Sequence, residues 1–357
     1  MMGAIAVLPA THAEGWNSSM SRYLHRASAL LLLLLLTTLV GAATTSAHPQ
    51  PAQTSAPLSV PRGSVTARPF AVMVDNHPDA YPQTGLSQAP IVFEALAEYG
   101  ITRYMAVFIP GISAPQPTIG PVRSARSYFV EYAKGLRAVY AHAGGSPEGL
   151  LKAQTAVEIL NMDALLKNST GSFRRVKDRV APHNLYTSSA SLAAFAAAQK
   201  GPAPDLRELG FLYKTDAPAA QRPAAQSLNY YFLYRESYVA WNYDPASNSY
   251  LYFRQKRAHV DAATGQQLRF KNVVVLEVVE RPIPGDPKHR IEQDVIGEGQ
   301  ARIFIDGTMV EATWRKAAGF AQLQLFDRNG AEIALNPGAV WIAAIPSLKN
   351  LTVQGGA

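Results

Sequence analysis

In the first half of the chain, short apolar runs are followed by longer stretches of helical composition. Four runs predict strands, although the second is also compatible with a helix start: Phe70–Val74, Ile91–Ala97, Tyr104–Ile109 and Ala138–His142. Three stretches predict helices: Ser124–Lys134, Pro147–Leu166 and Ser189–Lys200. Strands that alternate with helices predict a layered α/β domain over residues 69–213.

The second half has a β pattern that follows a connection rich in Ala, Pro and Gln at residues 214–228. Its aromatic and β-branched runs predict strands at Tyr230–Tyr234, Tyr238–Tyr243, Tyr250–Arg254, Val273–Val279, Ala301–Ile305, Thr308–Trp314, Gln322–Asp327, Glu332–Leu335 and Val340–Ile345. Turn pairs such as Asp306-Gly307 are typical of hairpins. We therefore predict a mixed α+β fold, with a β-rich antiparallel C-terminal domain at residues 229–350.

The N-terminal region has the pattern of a secretory signal. Arg22 and Arg26 precede an apolar stretch, Ala27–Ala43, in which residues 30–36 are all leucine. We expect residues 1–47 to form a signal region, with translation starting at Met20 or upstream of it. Cleavage is expected after Ala47, and a retained membrane anchor is the alternative. Residues 48–68, rich in Pro, Ala, Ser and Thr, are expected to form a disordered linker.

Composition indicates which cell compartment and which kinds of binding partner suit the chain. The chain has no cysteine, which excludes disulfides, thiolate metal ligands and acylation at a lipobox. Its formal charge of +7 is modest for 357 residues, so it suits an anionic envelope component better than a nucleic acid, which we do not expect to be bound. We expect a protein exported across the cytoplasmic membrane to the periplasm, the extracellular space or the cell wall, with membrane contact only through an uncleaved signal segment. The residues identify no cofactor.

Two motifs predict an anion-binding site. The first is G-P-V-R-S-A-R at residues 120–126, whose Arg123 and Arg126 can join Arg103 in a clamp for phosphate or carboxylate. They would be neighbours if this segment were helical. The alternative is that Glu94, Glu98 and Glu131 neutralise these arginines.

The second motif is H-A-G-G-S at residues 142–146. Gly144 and Gly145 permit a turn, Ser146 can cap a helix that begins at Pro147, and His142 offers a further donor. The amides at such a helix start favour an anion.

A basic loop at residues 173–184 contributes further candidates, either as a flap over the anion site or as a solvated loop. Its candidate ligand-binding residues are Arg174, Arg175, His183 and Asn184.

The candidate acid–base residues are Asp75, Glu94 and His142. Asp75 follows a predicted buried strand, where α/β sheets place ligand groups, but Asp75 and Asn76 can equally form a turn. Together with Asn76 and His77, these three residues could also hold a divalent metal, but no tight spacing such as H-E-x-x-H supports one, so we expect no metal site.

Six motifs in order resemble the YerB-like bacterial envelope proteins, a family of unknown function with many lipoproteins. They are A-V-M-V-D-N-H at residues 71–77, P-Q-T-G-L at 82–86, G-I-T-R at 100–103, G-P-V-R-S-A-R at 120–126, H-A-G-G-S at 142–146 and A-P-H-N-L-Y at 181–186. Further similarity continues to residue 346. The resemblance implies an α/β N-terminal and a β-rich C-terminal domain, and no established chemistry. This chain departs from the lipoproteins in lacking a cysteine, and from the expected motif in having Tyr81 in place of an arginine.

Three hypotheses for function follow. The first is an envelope protein that binds an anionic cell-wall intermediate or polymer. The second is a hydrolase or transferase acting on such a molecule. The third is a module that assembles with another envelope protein through its β edges or aromatic residues.

Overall fold

A computed structural model describes residues 58–200, 203–235 and 238–356, so the predicted signal region lies outside the described residues. The helices are α1 (Ser127–Gly135), α2 (Pro147–Thr155) and α3 (Ser189–Ala198). The strands of the first half are β1 (Phe70–Asp75), β2 (Ile91–Glu98), β3 (Ile101–Phe108), β4 (Val139–His142), β5 (Leu160–Asp163), β6 (Arg174–Arg175) and β7 (Leu185–Tyr186). Those of the second half are β8 (Gln226–Tyr230), β9 (Val239–Asp244), β10 (Ser249–Arg254), β11 (Arg257–Ala258), β12 (Arg269–Phe270), β13 (Asn272–Glu277), β14 (Glu280–Pro282), β15 (Ile291–Gln293), β16 (Gly297–Ile305), β17 (Thr308–Lys316), β18 (Gln324–Phe326), β19 (Val340–Ile345) and β20 (Leu351–Gly355).

A mixed ten-stranded sheet runs through the molecule in the order β18-β17-β16-β13-β19-β2-β3-β1-β4-β5. Strand β19 is parallel to both of its neighbours, β13 and β2, while β1 is antiparallel to β3 and parallel to β4. Every residue of β1 and β19 is buried. Strands buried on both faces read as continuous apolar runs, which is why their pattern lacks alternation.

The predicted fold class is confirmed. The segment 69–213 contains α1, α2 and α3 among its strands, and the described residues of 229–350 form strands without an α-helix. Strands from both segments nevertheless share the large sheet, because β19 lies between β13 and β2.

A six-stranded sheet packs on one face of the large sheet, with β8, β9 and β10 at its centre. Aromatic residues fill the interface: the ring of Trp341 on β19 lies 5.3 Å from Trp241 and 4.8 Å from Tyr252 between centroids. All three side chains are buried. The aromatic strands are therefore core elements. On the opposite face Tyr132 of α1 stacks on Phe93 of β2, with centroids 4.4 Å apart.

Two predicted helices differ from the observed ones. The helix predicted over Pro147–Leu166 ends at Thr155, because the chain then forms β5, whose Met162 is buried beside β4. The helix predicted from Ser124 begins at Ser127. The preceding residues are extended and bonded to neighbouring backbone, with the amide of Arg123 donating to Met73 O at 2.9 Å.

Three other expectations also need correction. The strand predicted at Tyr230–Tyr234 shares only Tyr230 with β8, which begins at Gln226 within the predicted connection and ends at Tyr230, where its pairing with β9 and β20 stops. The segment Glu332–Leu335 makes only isolated bridges. The packed structure begins before residue 69: Val60 and Val65 of the predicted disordered linker are buried, and Phe211 donates to the Val60 carbonyl at 2.8 Å.

Candidate functional site

Asp75, the last residue of β1, lies at the centre of the candidate site. Its side chain is 1% exposed, and its Oδ2 lies 2.7 Å from Nδ1 of His183 and 3.0 Å from Nε of Arg123. Its Oδ1 accepts the backbone N–H of His77 at 3.1 Å. The fold thus joins an aspartate and a histidine that are 108 residues apart in the sequence.

His77 gives this centre an open side. Its ring stacks on that of His183 with centroids 4.6 Å apart and an interplanar angle of 20°. The side chains of His77 and Arg123 are 36% and 23% exposed, and Arg175 is exposed. We refer to Asp75, His77, Arg123, Arg175 and His183 as the histidine–arginine site.

The basic loop is folded against this site by hydrogen bonds from its own polar residues. Asn184 donates to the carbonyls of residues 176 and 179 at 3.0 and 3.1 Å, and its Oδ1 accepts from Arg175 at 2.6 Å. Arg179 donates to the carbonyls of residues 80 and 82, both at 2.7 Å. Arg174 donates to Thr118 at the loop's outer side. The loop is therefore anchored at its two ends, and His183 is held beside Asp75.

Arg103 and Arg126 lie next to the site but are buried, and both pair with Glu98. Their Nη2 atoms lie 3.3 and 2.5 Å from the Glu98 carboxylate. Burial raises the pKa of Glu98, but the two guanidinium groups outweigh it and leave that pKa below its ordinary value. Burial lowers the pKa of Arg126. Of the glutamates available to neutralise the arginines, Glu98 is thus the one that does so.

Cations nevertheless exceed anions here. Arg103, Arg123, Arg126 and Arg175 lie around the carboxylates of Asp75 and Glu98, and the exposed Asp79 beside His77 is a third carboxylate. Burial lowers the pKa of Arg123, and the nearby cations Arg103 and Arg175 act in the same direction, opposed by Asp75. In the described part of the chain, the buried Nε atoms of Arg103, Arg123 and Arg126 lack a hydrogen-bond partner. Although Arg123 Nε is close to Asp75, it does not donate to it.

The H-A-G-G-S motif has a supporting role: it helps to hold the backbone that carries the site residues. His142 is fully buried, with Nδ1 2.8 Å from the carbonyl oxygen of Gly144 and Nε2 2.7 Å from Oδ1 of Asn161. Ser146 caps α2 by accepting from the amide of Gly149 at 3.1 Å, and Pro147 occupies the first turn, as predicted. Both ring nitrogens of His142 are therefore already engaged within the fold.

The start of α2 lies against protein backbone. A Cβ atom added at Gly149 would come within 3.0 Å of the Cα of Arg126, and one added at Gly145 within 3.2 Å of the Cβ of Ala125. The glycines thus allow the extended segment before α1 to pack against the motif, so that Arg123 points toward Asp75.

Glu94 is buried in the core between the two sheets. It accepts from Arg254 at 2.9 Å, from Thr102 at 2.8 Å and from Trp341 at 3.2 Å. Burial raises its pKa, and the Arg254 cation opposes the rise. Asn76 donates to Thr102 at 2.6 Å, so a chain of hydrogen bonds connects Glu94 to the residue beside Asp75.

Sequence reasoning identified Asp75, Arg123 and His183 separately, and the structure brings them together. Arg179 was one of the cations of the basic loop, but its role in anchoring the loop was not predicted, and Asp79, which lies beside His77, was missed. Asp79 had a signal, because it follows closely on the Asp75-Asn76-His77 motif. Arg254, which pairs with Glu94, was also missed, and the sequence near it gives no signal because its partner is 160 residues away.

Two family models match the chain. They are the N-terminal domain of a protein of unknown function, DUF3048, over residues 56–203, and the DUF3048 C-terminal domain over residues 228–342.

The chain is also similar to a named protein, "Putative lipoprotein YerB" of Bacillus subtilis (strain 168). The two are 32% identical over 294 residues, which cover 81% of this chain and 84% of the relative. The crystal structure of the YerB protein from Bacillus subtilis matches with a TM-score of 0.71 over 84% of this chain and 99% of that one. Among the described residues, the helices are too short or too polar to cross a membrane.

Proposed function

The chain belongs to the DUF3048 family of YerB-like proteins, and from this premise we propose that it binds an anionic ligand of the cell envelope at the histidine–arginine site. The ligand class is a phosphate or carboxylate group on a cell-wall intermediate or polymer. The observation that carries the proposal is the surplus of guanidinium groups over carboxylates around Asp75 and Glu98.

The charge balance favours an anion on physical grounds. Buried charges are costly unless they are paired, and one carboxylate serves both Arg103 and Arg126. The buried Nε donors without partners add a further cost, since an unsatisfied donor loses about 1–3 kcal/mol. An anion beside Arg123 adds negative charge close to the guanidinium groups and so offsets the first of these costs.

The open side of the site supports the same reading. Arg123 and Arg175 are accessible and planar, and guanidinium groups grip phosphate or carboxylate with two parallel hydrogen bonds. Arg103 and Arg126 lie deeper and contribute long-range charge. His142, Gly144, Gly145, Ser146 and Asn184 act as supporting residues in this proposal, because their polar groups hold the motif and the loop in place.

The envelope location rests on the chain's own signal-like N-terminal region and on its relative's name, which describes a lipoprotein. The absence of cysteine means that this chain has no residue for lipid attachment at a lipobox. We propose export without acylation.

Isothermal titration of the full chain with inorganic phosphate, pyrophosphate and soluble wall fragments tests the binding. Arg175→Gln is the first variant, because Arg175 is exposed and its loss leaves the core intact. We expect at least a tenfold loss of affinity in Arg175→Gln and in Arg123→Gln.

Arg207→Gln is the matched control, because its side chain is 86% exposed and pairs with Asp205 away from the site. Saturable binding that Arg175→Gln and Arg123→Gln weaken and Arg207→Gln does not supports the proposal. Equal affinity in all variants, or no binding to any of these ligands, contradicts it.

A hydrolase or transferase is the second candidate, favoured by the 2.7 Å contact between Asp75 Oδ2 and His183 Nδ1. A carboxylate that holds one ring nitrogen fixes the tautomer and leaves the other, Nε2, to move a proton as a general base. Incubation with phosphoesters and wall fragments tests for turnover. We expect His183→Gln to abolish turnover while His289→Gln, at an exposed position, keeps it. Turnover that persists in His183→Gln contradicts this role.

A further inference from the structure

We propose that His77, Asp79 and His183 bind a divalent transition-metal ion of the Zn²⁺ class. One possible ligand atom from each of the three lies within 4.8 Å of the others. Imidazole nitrogens and a carboxylate oxygen form the donor set that Zn²⁺ takes in catalytic sites, where three protein ligands leave one position open. This inference does not depend on the proposed anion binding.

The spacing of His77 and Asp79 fits a shared ion. Nδ1 of His77 and Oδ2 of Asp79 are 3.5 Å apart. Two ligands held about 2.1 Å from one tetrahedral ion are separated by about 3.4 Å. The same Nδ1 accepts the backbone N–H of Asp79 at 3.2 Å, a long hydrogen bond that the ion would replace. Asp79 is 73% exposed, so its carboxylate can adjust without disturbing the core.

His183 is oriented as a metal ligand usually is. Its Nδ1 bonds to the buried carboxylate of Asp75, which leaves Nε2 as the free nitrogen. A carboxylate behind a ligating histidine fixes the ring and increases its basicity, and loss of such a partner usually costs 10–100-fold in metal affinity. Arg123 and the backbone N–H of His77 hold Asp75 in turn.

The open coordination position would lie beside the cations of the histidine–arginine site. Arg123 and Arg175 oppose metal binding by charge repulsion, but they favour an anion as the fourth ligand. The arrangement therefore suits a metal ion and an anionic group bound side by side.

The test is a titration of the full chain, purified without a polyhistidine tag and stripped with a chelator. ZnCl₂ is added in a buffer free of phosphate while heat is recorded, and Co²⁺ is used in parallel for its visible absorption. We expect one ion per chain, and a Co²⁺ spectrum typical of nitrogen and oxygen ligands.

Single substitutions locate the site. We expect His77→Ala, His183→Ala and Asp79→Asn each to weaken Zn²⁺ binding at least tenfold, and Asp75→Asn about tenfold through the orientation of His183. The exposed His289 provides the control, because His289→Ala removes a surface histidine outside the cluster. Because Asp79 is on the surface, Asp79→Asn is expected to stay folded, and a loss of binding in this variant is then not due to unfolding.

The outcomes separate the two proposals. Stoichiometric binding lost in the cluster variants and kept in His289→Ala supports the metal site. Absence of saturable binding to the wild type, or wild-type affinity in both Asp79→Asn and His77→Ala, overturns it. Phosphate binding is measured separately in the presence of the chelator, so a failure of either proposal leaves the other measurable.

Discussion

At the scale of single residues, Asp75 combines burial with two cationic or ionisable partners. Removing its charge leaves Arg123 without its carboxylate and weakens the contact with His183. Breaking a buried ion pair by removing one partner costs about 3–5 kcal/mol, and the partial exposure of Arg123 places the expected cost for Asp75→Asn at the lower end, about 3 kcal/mol. Urea unfolding measures it.

The comparison variant is Asp205→Asn. Asp205 pairs with Arg207 at the surface, where an ion pair contributes about 0–1 kcal/mol, so we expect little change. If both variants lose the same free energy of unfolding, Asp75 has no special structural role.

Lys316 illustrates a buried charge far from the site. Its side chain is fully buried and donates to the carbonyl of Ala318 at 2.7 Å. Burial lowers its pKa from 10.5 to about 7. Between these values the unfolded chain holds the proton and the folded chain does not, so stability rises as pH increases from about 7 toward 10.

We expect the free energy of unfolding of the wild type, relative to Lys316→Met, to rise over that interval by at most about 4 kcal/mol. Urea unfolding at pH 7, 8, 9 and 10 measures the difference, in which the contributions of titrating groups that do not interact with Lys316 cancel. A constant difference across the four pH values would show that Lys316 keeps an ordinary pKa.

At the scale of elements, two side chains hold the loop between β6 and β7: Arg179 bonds it to residues 80 and 82, and Asn184 bonds it to itself. Asn184 makes three hydrogen bonds, of which two join the ends of the loop through Arg175 and Val176 and one reaches the carbonyl of Arg179 within it. Asn184→Ala removes them, and we expect the amide of Val176, which donates to the Asn184 carbonyl at 2.9 Å, to exchange with deuterium at least tenfold faster.

We expect the same change to weaken phosphate binding, since His183 and Arg175 lose their fixed positions. The amides of β1 serve as the internal control, because their exchange reports the global stability. Unchanged exchange at Val176 would mean that Arg179 alone holds the loop.

The elements also show what the sequence can predict. Strands β1, β4, β13 and β19 were predicted within two residues, because runs buried on both faces are apolar throughout. The prediction that the second helix continues to Leu166 was wrong, because β5 occupies its last part. The pairing of β5 with β4 leaves no signal in the local sequence. The predicted helix start at Ser146 and Pro147 was correct, because a helix cap is a local interaction.

The site was less predictable than the elements. Asp75, Arg123 and His183 each carried a signal of charge or position, but their meeting depends on the pairing of distant strands and on the anchored loop. The three-residue spacing also suggested that Arg126 lies next to Arg123, whereas the structure pairs Arg126 with Glu98. Motif spacing therefore indicates the residue types of this site, whereas the tertiary fold determines its geometry.

At the scale of the whole molecule, the large sheet depends on a strand from near the end of the chain. β19 pairs with β2 along Val340–Ala344 and with β13 on its other side, and all of its residues are buried. A chain that stops at residue 213 leaves β2 as an open, apolar edge. The face of the large sheet that packs on the six-stranded sheet also loses Trp341 and Tyr252, which cover Tyr104 on β3.

We therefore expect a fragment of residues 58–213 to lack a cooperative urea transition, although it contains almost all of the N-terminal family match. Uncovered apolar strands of this size associate, so the fragment should elute as aggregates in size-exclusion chromatography. Co-expression with residues 214–357 is the control, because it supplies β19 and the aromatic sheet in trans and should restore a soluble complex with one transition. A cooperative transition of the isolated fragment would contradict this dependence and make the N-terminal segment an autonomous domain. In the expected case the site forms only after the C-terminal strand has been added, since β1 and its Asp75 belong to the sheet that this strand completes.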